Sequence, residues 1–249
     1  MFFLFKSITF AGGFSLDWNQ VLAVLDKDGK AQISYIIRWN CRNVNFHGFY
    51  FEVFQEEPFF DKVNSYAVDD KGKKYSLDIK KLSQKKYDIV LANGQAFVNG
   101  QITYFFRYNT DLQKSGNLTQ TMAGEKKLAV FNWAPVQWDD SMEHQDVTVV
   151  FPIVREGLKI KDRGLEKYNF RTEKYVNERY LIDYPETPNS SGEKLFAVRF
   201  YKKNISKRFH FQIQVCIDAV YFNLKTMACE GLTSVSKKSE YARAETSLF

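Results

Sequence analysis

The 249-residue chain has few of the residues that stabilise small or extended scaffolds. It contains three cysteines, five prolines and 13 glycines. Three cysteines exclude a disulfide-dense scaffold, and so little proline and glycine excludes a collagen-like or low-complexity chain. No run approaches the ~18 consecutive apolar residues of a membrane span. We therefore expect any membrane anchor to lie in sequence outside this chain.

Motifs for catalysis and cofactor binding are also lacking. The sequence has no Gly-x-Ser-x-Gly elbow, phosphate-binding loop, His-Glu-x-x-His or Cys-x-x-Cys. Its three histidines, His47, His144 and His210, fall on separate predicted elements. These observations indicate a protein that is not an enzyme and uses no cofactor.

Basic residues outnumber acidic ones, which gives a formal net charge of +6. The lysines come in short pairs at predicted turns and strand ends, where charge discourages edge pairing. No composition typical of a nucleic-acid module accompanies them. We therefore expect no nucleic-acid partner.

Aromatic residues are abundant, with 23 Phe and 14 Tyr, and they favour strands over helices. Ile33, Tyr35, Ile37 and Trp39 alternate with polar residues after a turn at 28–29, which predicts a hairpin. A similar alternation occupies 101–109. Seven or eight such strands, separated by turn signals every ~8–12 residues, predict an all-β fold with a β-sandwich.

A polar stretch without apolar periodicity divides the predicted strands into two groups. We predict an apolar segment at 1–15 that is either a first strand or the remnant of a signal peptide. A first sandwich over 16–112, a connection at 113–125, a second sandwich over 126–224 and a polar tail at 225–249 would follow.

The segment from Phe131 to Pro152 is the most distinctive stretch, and we predict that it opens the second sandwich as a hairpin. Trp133, Pro135 and Trp138 are predicted to pack at the domain junction. The acidic cluster that follows is the one dense set of metal-ligand types, but a turn explains it better than a calcium site does. Its members are Asp139, Asp140 and Glu143. The four tryptophans leave a sugar-binding surface as an alternative.

Two covalent features bear on the compartment. Cys216 and Cys229 either form one bridge, with Cys41 free, or all three cysteines are buried thiols. Three Asn-x-Ser/Thr acceptors lie in predicted loops, where a glycan is sterically allowed. These acceptors are Asn117, Asn189 and Asn204.

Four elements together resemble an uncharacterised group of membrane proteins whose large extracytoplasmic β region is a domain of unknown function. They are the strand at 100–108, the tryptophan element at 131–138, the strand at 147–152 and a predicted late hairpin over 195–215. The resemblance spans roughly residues 20–217. It implies two immunoglobulin-like β-sandwiches in tandem outside a membrane, without known catalysis. Members of the group carry membrane spans after the β region, and this chain contains none.

We therefore expect a non-catalytic extracellular structural or adhesive glycoprotein module, attached to a membrane or built into a surface assembly. Its partners would be proteins or further copies of itself, with glycans as a further option. The first alternative is a carbohydrate- or ligand-binding module that uses exposed aromatic rings. The second is an accessory subunit of a large intracellular assembly.

Overall fold

The structure, a computed structural model, describes residues 12–53, 56–155, 163–225 and 243–247. The prediction of an all-β fold is confirmed. Two short helices, α1 and α2, accompany the strands and span Arg163–Glu166 and Lys174–Arg179. The strands are β1 Gly13–Leu25, β2 Lys30–Arg42, β3 Gly48–Glu52, β4 Phe59–Phe60, β5 Tyr66–Asp69, β6 Lys74–Lys81, β7 Lys86–Leu91, β8 Gly100–Asp111, β9 Leu118–Ala123, β10 Lys126–Trp133, β11 Gln137–Trp138, β12 Met142–Val154, β13 Arg171–Thr172, β14 Leu181–Asp183, β15 Thr187–Pro188, β16 Lys194–Ile205, β17 Ile213–Asp218 and β18 Arg243–Ser247.

The predicted hairpin at 28–29 forms between β1 and β2. Asp26 Oδ1 accepts hydrogen bonds from the backbone N–H of Asp28 and Lys30, at 2.9 and 2.8 Å. Gly29 takes φ +79°, a conformation that residues with a Cβ rarely adopt. The turn chemistry therefore fixes the register of two 13-residue strands along which buried and half-buried residues alternate.

Within the described residues the strands form two sheets. The larger runs in the order β11-β18-β3-β7-β6-β5-β8-β2-β1-β12-β16-β14, with β4 and β15 added beside β8 and β16. The smaller runs β13-β17-β10-β9. We call β5, β8, β2, β1, β12, β16 and β14 the long layer, because they form one uninterrupted part of the larger sheet.

One strand carries the larger sheet from the long layer into a second layer. The first residues of β6, 74–76, pair with β5, and the next, 77–81, pair with β7. The sheet then folds back so that β3 covers β2 and β8. The ring centroids of Phe51 and Tyr35 are 5.1 Å apart, and those of Phe49 and Tyr104 are 5.2 Å apart. We call β3, β7 and this part of β6 the first covering layer.

The smaller sheet packs against the other half of the long layer, and we call it the second covering layer. Phe131 of β10 meets Phe151 of β12 edge to face, with ring centroids 6.4 Å apart. Both rings are fully buried. One continuous cluster of buried side chains runs beneath both covering layers.

The long layer crosses the predicted domain boundary. Strands β1 and β12 pair in parallel, from Trp18 opposite His144 to Val24 opposite Val150. The predicted connection at 113–125 also contains β9, which pairs with β10. The division into two independent sandwiches stays a prediction, but hydrogen bonds between central strands join its two halves.

Two predicted hairpins are wrong. The segment 131–152 does not form one, because β10 and β12 belong to different sheets. Nor do the strands at 195–215 pair, because β16 lies beside β12 whereas β17 lies beside β10. Alternation identifies the buried face of a strand but not its neighbour, and these strands face one another across the core.

Three smaller predictions also differ from the structure. The sequence pattern at 179–184 predicts a strand, which is shortened to β14 because α2 extends to Arg179. The residues 220–222 are predicted to close the sheet as a strand, but Ala219–Tyr221 form a 3₁₀ turn instead. The predicted tail at 225–249 contains β18, which pairs with β3. Of the predicted first strand or signal remnant at 1–15, residues 1–11 lie outside the described residues. Strand β1 begins at Gly13.

Candidate functional site

The predicted junction residues are all buried, and one of them links the two halves. Trp138 is 3% exposed and meets Trp39 and Phe49 with ring centroids 6.0 and 5.5 Å apart. Its neighbour Val136 donates its backbone N–H to Tyr35 Oη at 3.2 Å. The short strand β11 therefore anchors the second half of the chain on aromatic rings of the first.

The other two members of that prediction lie beside this contact. Trp133, 2% exposed, packs on Phe131 within β10, where the ring centroids are 6.2 Å apart. Pro135 is buried in the segment between the two tryptophans. The assignment of all three residues to a domain junction stays a prediction, because it depends on the division into two domains.

The acidic cluster after Trp138 does not converge on a metal position. Asp139 Oδ1 accepts a hydrogen bond from Arg208 Nε at 2.7 Å. Asp140 is half-buried and Glu143 is exposed. The described part of the chain contains no group of three or more His, Cys, Asp and Glu side chains arranged to hold a metal ion.

The cysteines are separated in the fold. Cys41 lies buried on β2 and Cys216 lies half-buried on β17, and neither is bonded to another cysteine of the described residues. Burial raises the pKa of Cys41 to about 12 and also raises that of Cys216. Both thiols are therefore protonated near neutral pH and are poor nucleophiles. Cys229 lies outside the described residues, so its bridge to Cys216 stays a prediction.

The three sequons differ in how their side chains are used. Asn117 Nδ2 donates to the backbone oxygen of Asn132 at 2.8 Å, and Asn189 Nδ2 donates to Glu193 Oε2 at 2.9 Å. Asn204, at the end of β16, is exposed and takes φ +54°. Its amide makes no hydrogen bond in the described structure. A glycan would be accommodated most easily at Asn204.

Three of the four tryptophans are buried, so the surface has one candidate ring for stacking a sugar. Trp18 is half-buried on the outer face of the long layer. The Arg38 guanidinium lies 4.8 Å from its ring, and His144 lies on the opposite neighbouring strand with its centroid 6.0 Å away. Tyr201 continues the row, 5.5 Å from His144. This row forms a cross-strand ladder on the outer face.

A carboxylate on the same outer face is nearly covered. Asp146, opposite Gln20 of β1 and Tyr201 of β16, is 9% exposed, and Arg199 Nη1 lies 3.6 Å from its Oδ2. Burial raises the pKa of Asp146, which Arg199 opposes. Arg199 is shared, because it also pairs with Asp183. Sequence reasoning missed this group because its odd-numbered neighbours on β12 carry the apolar pattern.

Two amide side chains lie on the inner face at the parallel joint. Asn19 of β1 and Gln145 of β12 occupy the same register position and are 0% and 1% exposed. Among the described residues, Asn19 Oδ1 and Nδ2 and Gln145 Nε2 have no hydrogen-bond partner. The sequence signal that could have found them is the two-residue alternation of a strand. It places Asn19 on the same face as Val21 and Gln145 on the same face as Val147.

A surface depression of ≈ 600 Å³ lies where β1, β2 and β8 meet the loop before β4. Two of its charged groups, Lys114 and Glu56, form an ion pair at 2.7 Å. Asp26, also in its lining, holds the β1–β2 turn. These three charged groups are therefore engaged in the fold.

Among the described residues, no helix is long and apolar enough to cross a membrane. Comparisons of the sequence with models of known protein families and with curated proteins found no match. A function for this chain therefore has to be inferred from its own residues.

Proposed function

We propose that the protein is a non-catalytic structural or adhesive module displayed outside a cell, attached to a membrane through sequence beyond this chain or built into a surface assembly. The observation that carries this proposal is the parallel joint between β1 and β12. It joins two layered halves through central strands and one continuous core. A protein built in this way transmits force and keeps its surfaces in fixed positions relative to one another.

The finer architecture is part of the proposal. In it, the first covering layer and the second covering layer each form an immunoglobulin-like sandwich with half of the long layer. Two opposed layers filled by buried side chains in each half support this assignment. Trp138 packs edge to face on Trp39 across the boundary and would keep the two sandwiches from rotating against each other.

The extracellular placement is supported by Asn204, whose exposed amide is free for a glycan. The test is to treat the native protein with peptide-N-glycosidase and to compare its electrophoretic mobility with that of the untreated protein. We expect a shift that disappears in Asn204→Gln. Asn189→Gln is the matched control, and it should retain the shift. A native protein that shows no shift and resists labelling by an impermeant amine reagent on intact cells would contradict surface display, and would favour the intracellular alternative.

Sugar binding is the second candidate, and the ladder of Trp18, His144 and Tyr201 on the outer face supports it. The measurement is tryptophan fluorescence during titration with oligosaccharides. Saturable quenching that is lost in Trp18→Ala and kept in Trp138→Phe would favour this candidate, since Trp138 is buried. Absence of quenching would leave the structural module as the better proposal.

A further inference from the structure

Among the buried side chains of the described residues, Arg155 is the one that always carries a positive charge. It is 9% exposed and directly follows Val154, the last residue of β12. Its backbone N–H donates to the backbone oxygen of Lys194 at 2.7 Å, which continues the pairing of β12 with β16. A guanidinium cannot lose its proton in a protein, so burial at this position leaves a charge that needs an acceptor.

The alternation of burial along β12 gives the direction of the Arg155 side chain. Ile153 is 2% exposed and Val154 is 51% exposed, and successive residues of a strand point to opposite faces. Arg155 therefore lies on the face of Ile153 and Phe151, where Phe151 meets Phe131 of the second covering layer. This position is the end of the core between the long layer and the second covering layer.

A second basic side chain lies beside Arg155. Lys194 is the first residue of β16 and lies opposite Arg155, and opposite residues of an antiparallel pair project from the same face. Like charges in such positions repel each other. Lys194 has a partner, because its Nζ lies 2.6 Å from Glu186 Oε2. Glu193 is engaged elsewhere, since its Oε2 accepts a hydrogen bond from Asn189 Nδ2 at 2.9 Å.

Arg155 lacks the partner that Lys194 has. Its Nε and Nη1 atoms are buried and have no hydrogen-bond acceptor within the described residues. Glu186 is close enough for the charge of Arg155 to help lower its pKa, but the hydrogen bond from Lys194 is the main cause of that shift. Buried donors of a charged group are normally paired, so two donors without an acceptor mark a place for a ligand.

The local charge indicates what that ligand is. Arg155 and Lys194 are positive and Glu186 is negative, so the three side chains leave one positive charge. A carboxylate carries one negative charge and would neutralise it. A phosphate carries close to two at neutral pH and would leave a negative charge beside a buried position. The planar guanidinium also presents its N–H donors in a geometry that suits carboxylate oxygens.

We propose that Arg155 and Lys194 form a binding site for the carboxylate of a small molecule at the end of the β12–β16 pair. Arg155 donates to the carboxylate oxygens, and Lys194 adds positive charge beside them. Glu186 is exposed and Lys194 is half-buried, so a small ligand enters from their side. The site goes beyond the structural role proposed above and does not depend on it.

The test is a nuclear magnetic resonance titration of the 249-residue chain with sodium acetate, with sodium chloride added to keep the ionic strength constant. The signal observed is the Nε–Hε group of Arg155, assigned through its own backbone signals. We expect this signal to shift and to saturate as acetate is added. Arg208 is the internal control, because its Nε already donates to Asp139 Oδ1 at 2.7 Å, and its signal should not follow the same curve.

Variants of the neighbouring charges test the position of the site. Glu186→Gln removes the carboxylate that competes for the two basic side chains, and it should raise the acetate affinity about two- to fivefold. Glu193→Gln is the matched control, which removes the same charge from the adjacent turn and should leave the affinity unchanged. Lys194→Met releases Glu186 to pair with Arg155, and it should lower the affinity about tenfold.

Three results would overturn the proposal. The first is an Arg155 signal that moves no more with acetate than with chloride. The second is an equal rise in affinity in Glu186→Gln and Glu193→Gln, which would indicate general attraction of anions to a basic protein. The third is tighter binding of sodium phosphate than of acetate, which would exclude a carboxylate as the preferred ligand. None of these measurements requires a change at Arg155 itself, and none depends on whether the protein is displayed on a cell.

Discussion

Asp146 is a buried carboxylate whose protonation should be visible in the stability of the protein. Burial raises its pKa above the ordinary value of 3.8. The folded state therefore holds the proton more tightly than the unfolded state does. The contribution of Asp146 to the free energy of unfolding is greatest below pH 3.8 and falls as the pH rises through the folded pKa. Asp146→Asn should remove this fall.

The measurement is urea unfolding of wild type and Asp146→Asn between pH 3.5 and about 7, where the groups concerned titrate. Glu186 provides a control of opposite sign, because the hydrogen bond from Lys194 lowers its pKa below 4.5. Its contribution is present above pH 4.5 and is lost as the pH falls, so Glu186→Gln should change the slope in the other direction. Identical pH profiles for Asp146→Asn and wild type would contradict the prediction.

Strands could be predicted from the sequence where a regular apolar alternation is followed by residues typical of a turn. The hairpin of β1 and β2 is fully encoded, because its alternation is regular and Asp26 and Gly29 fix the turn. Strand β9 was missed because its inner face carries Gln120 between Leu118 and Met122, so apolar alternation is weak. What identifies β9 is its partner, β10, which sequence alternation alone does not specify.

The parallel pairing of β1 with β12 was not predictable for a related reason. More than a hundred residues separate the paired segments, and nothing local marks strands that meet so far apart. The candidate site residues also divide into those that residue type predicts and those that depend on long-range pairing. Burial of Trp133 and Trp138 follows from residue type, whereas the position of Asn19 beside Gln145 depends on this pairing.

The amide pair at this joint makes a prediction about β1 and β12. Asn19 and Gln145 are fully buried with unpaired polar atoms, and each such group costs about 1–3 kcal/mol. Replacing them with apolar side chains of similar size, Asn19→Leu with Gln145→Met, should raise the free energy of unfolding by about 1–3 kcal/mol.

Urea unfolding measures this gain directly. Gln32→Met, on the outer face of β2, is the matched control, and it should change stability by less than about 0.5 kcal/mol. A loss of stability in the double variant would mean that buried water satisfies the two amides and that the joint depends on it.

At the scale of the whole molecule, the joint and the shared core predict how the protein unfolds. Two independent sandwiches would melt in separate steps, as domains with their own cores do. Here the central strands of the two halves are hydrogen-bonded and one cluster of buried side chains underlies both. We therefore expect one calorimetric transition whose measured enthalpy equals its van't Hoff enthalpy.

One variant in each half tests this cooperativity. Phe49→Ala empties a position under the first covering layer, and Phe151→Ala empties one under the second; both rings are fully buried. Each should cost about 3–5 kcal/mol. In a single cooperative unit, each variant lowers the same transition and leaves one peak. Two peaks, of which Phe49→Ala moves one and Phe151→Ala the other, would show that the halves fold separately despite the shared sheet. A single displaced peak in both variants would mean that β1 and β12 make the long layer the unit of stability, on which a rigid surface module depends.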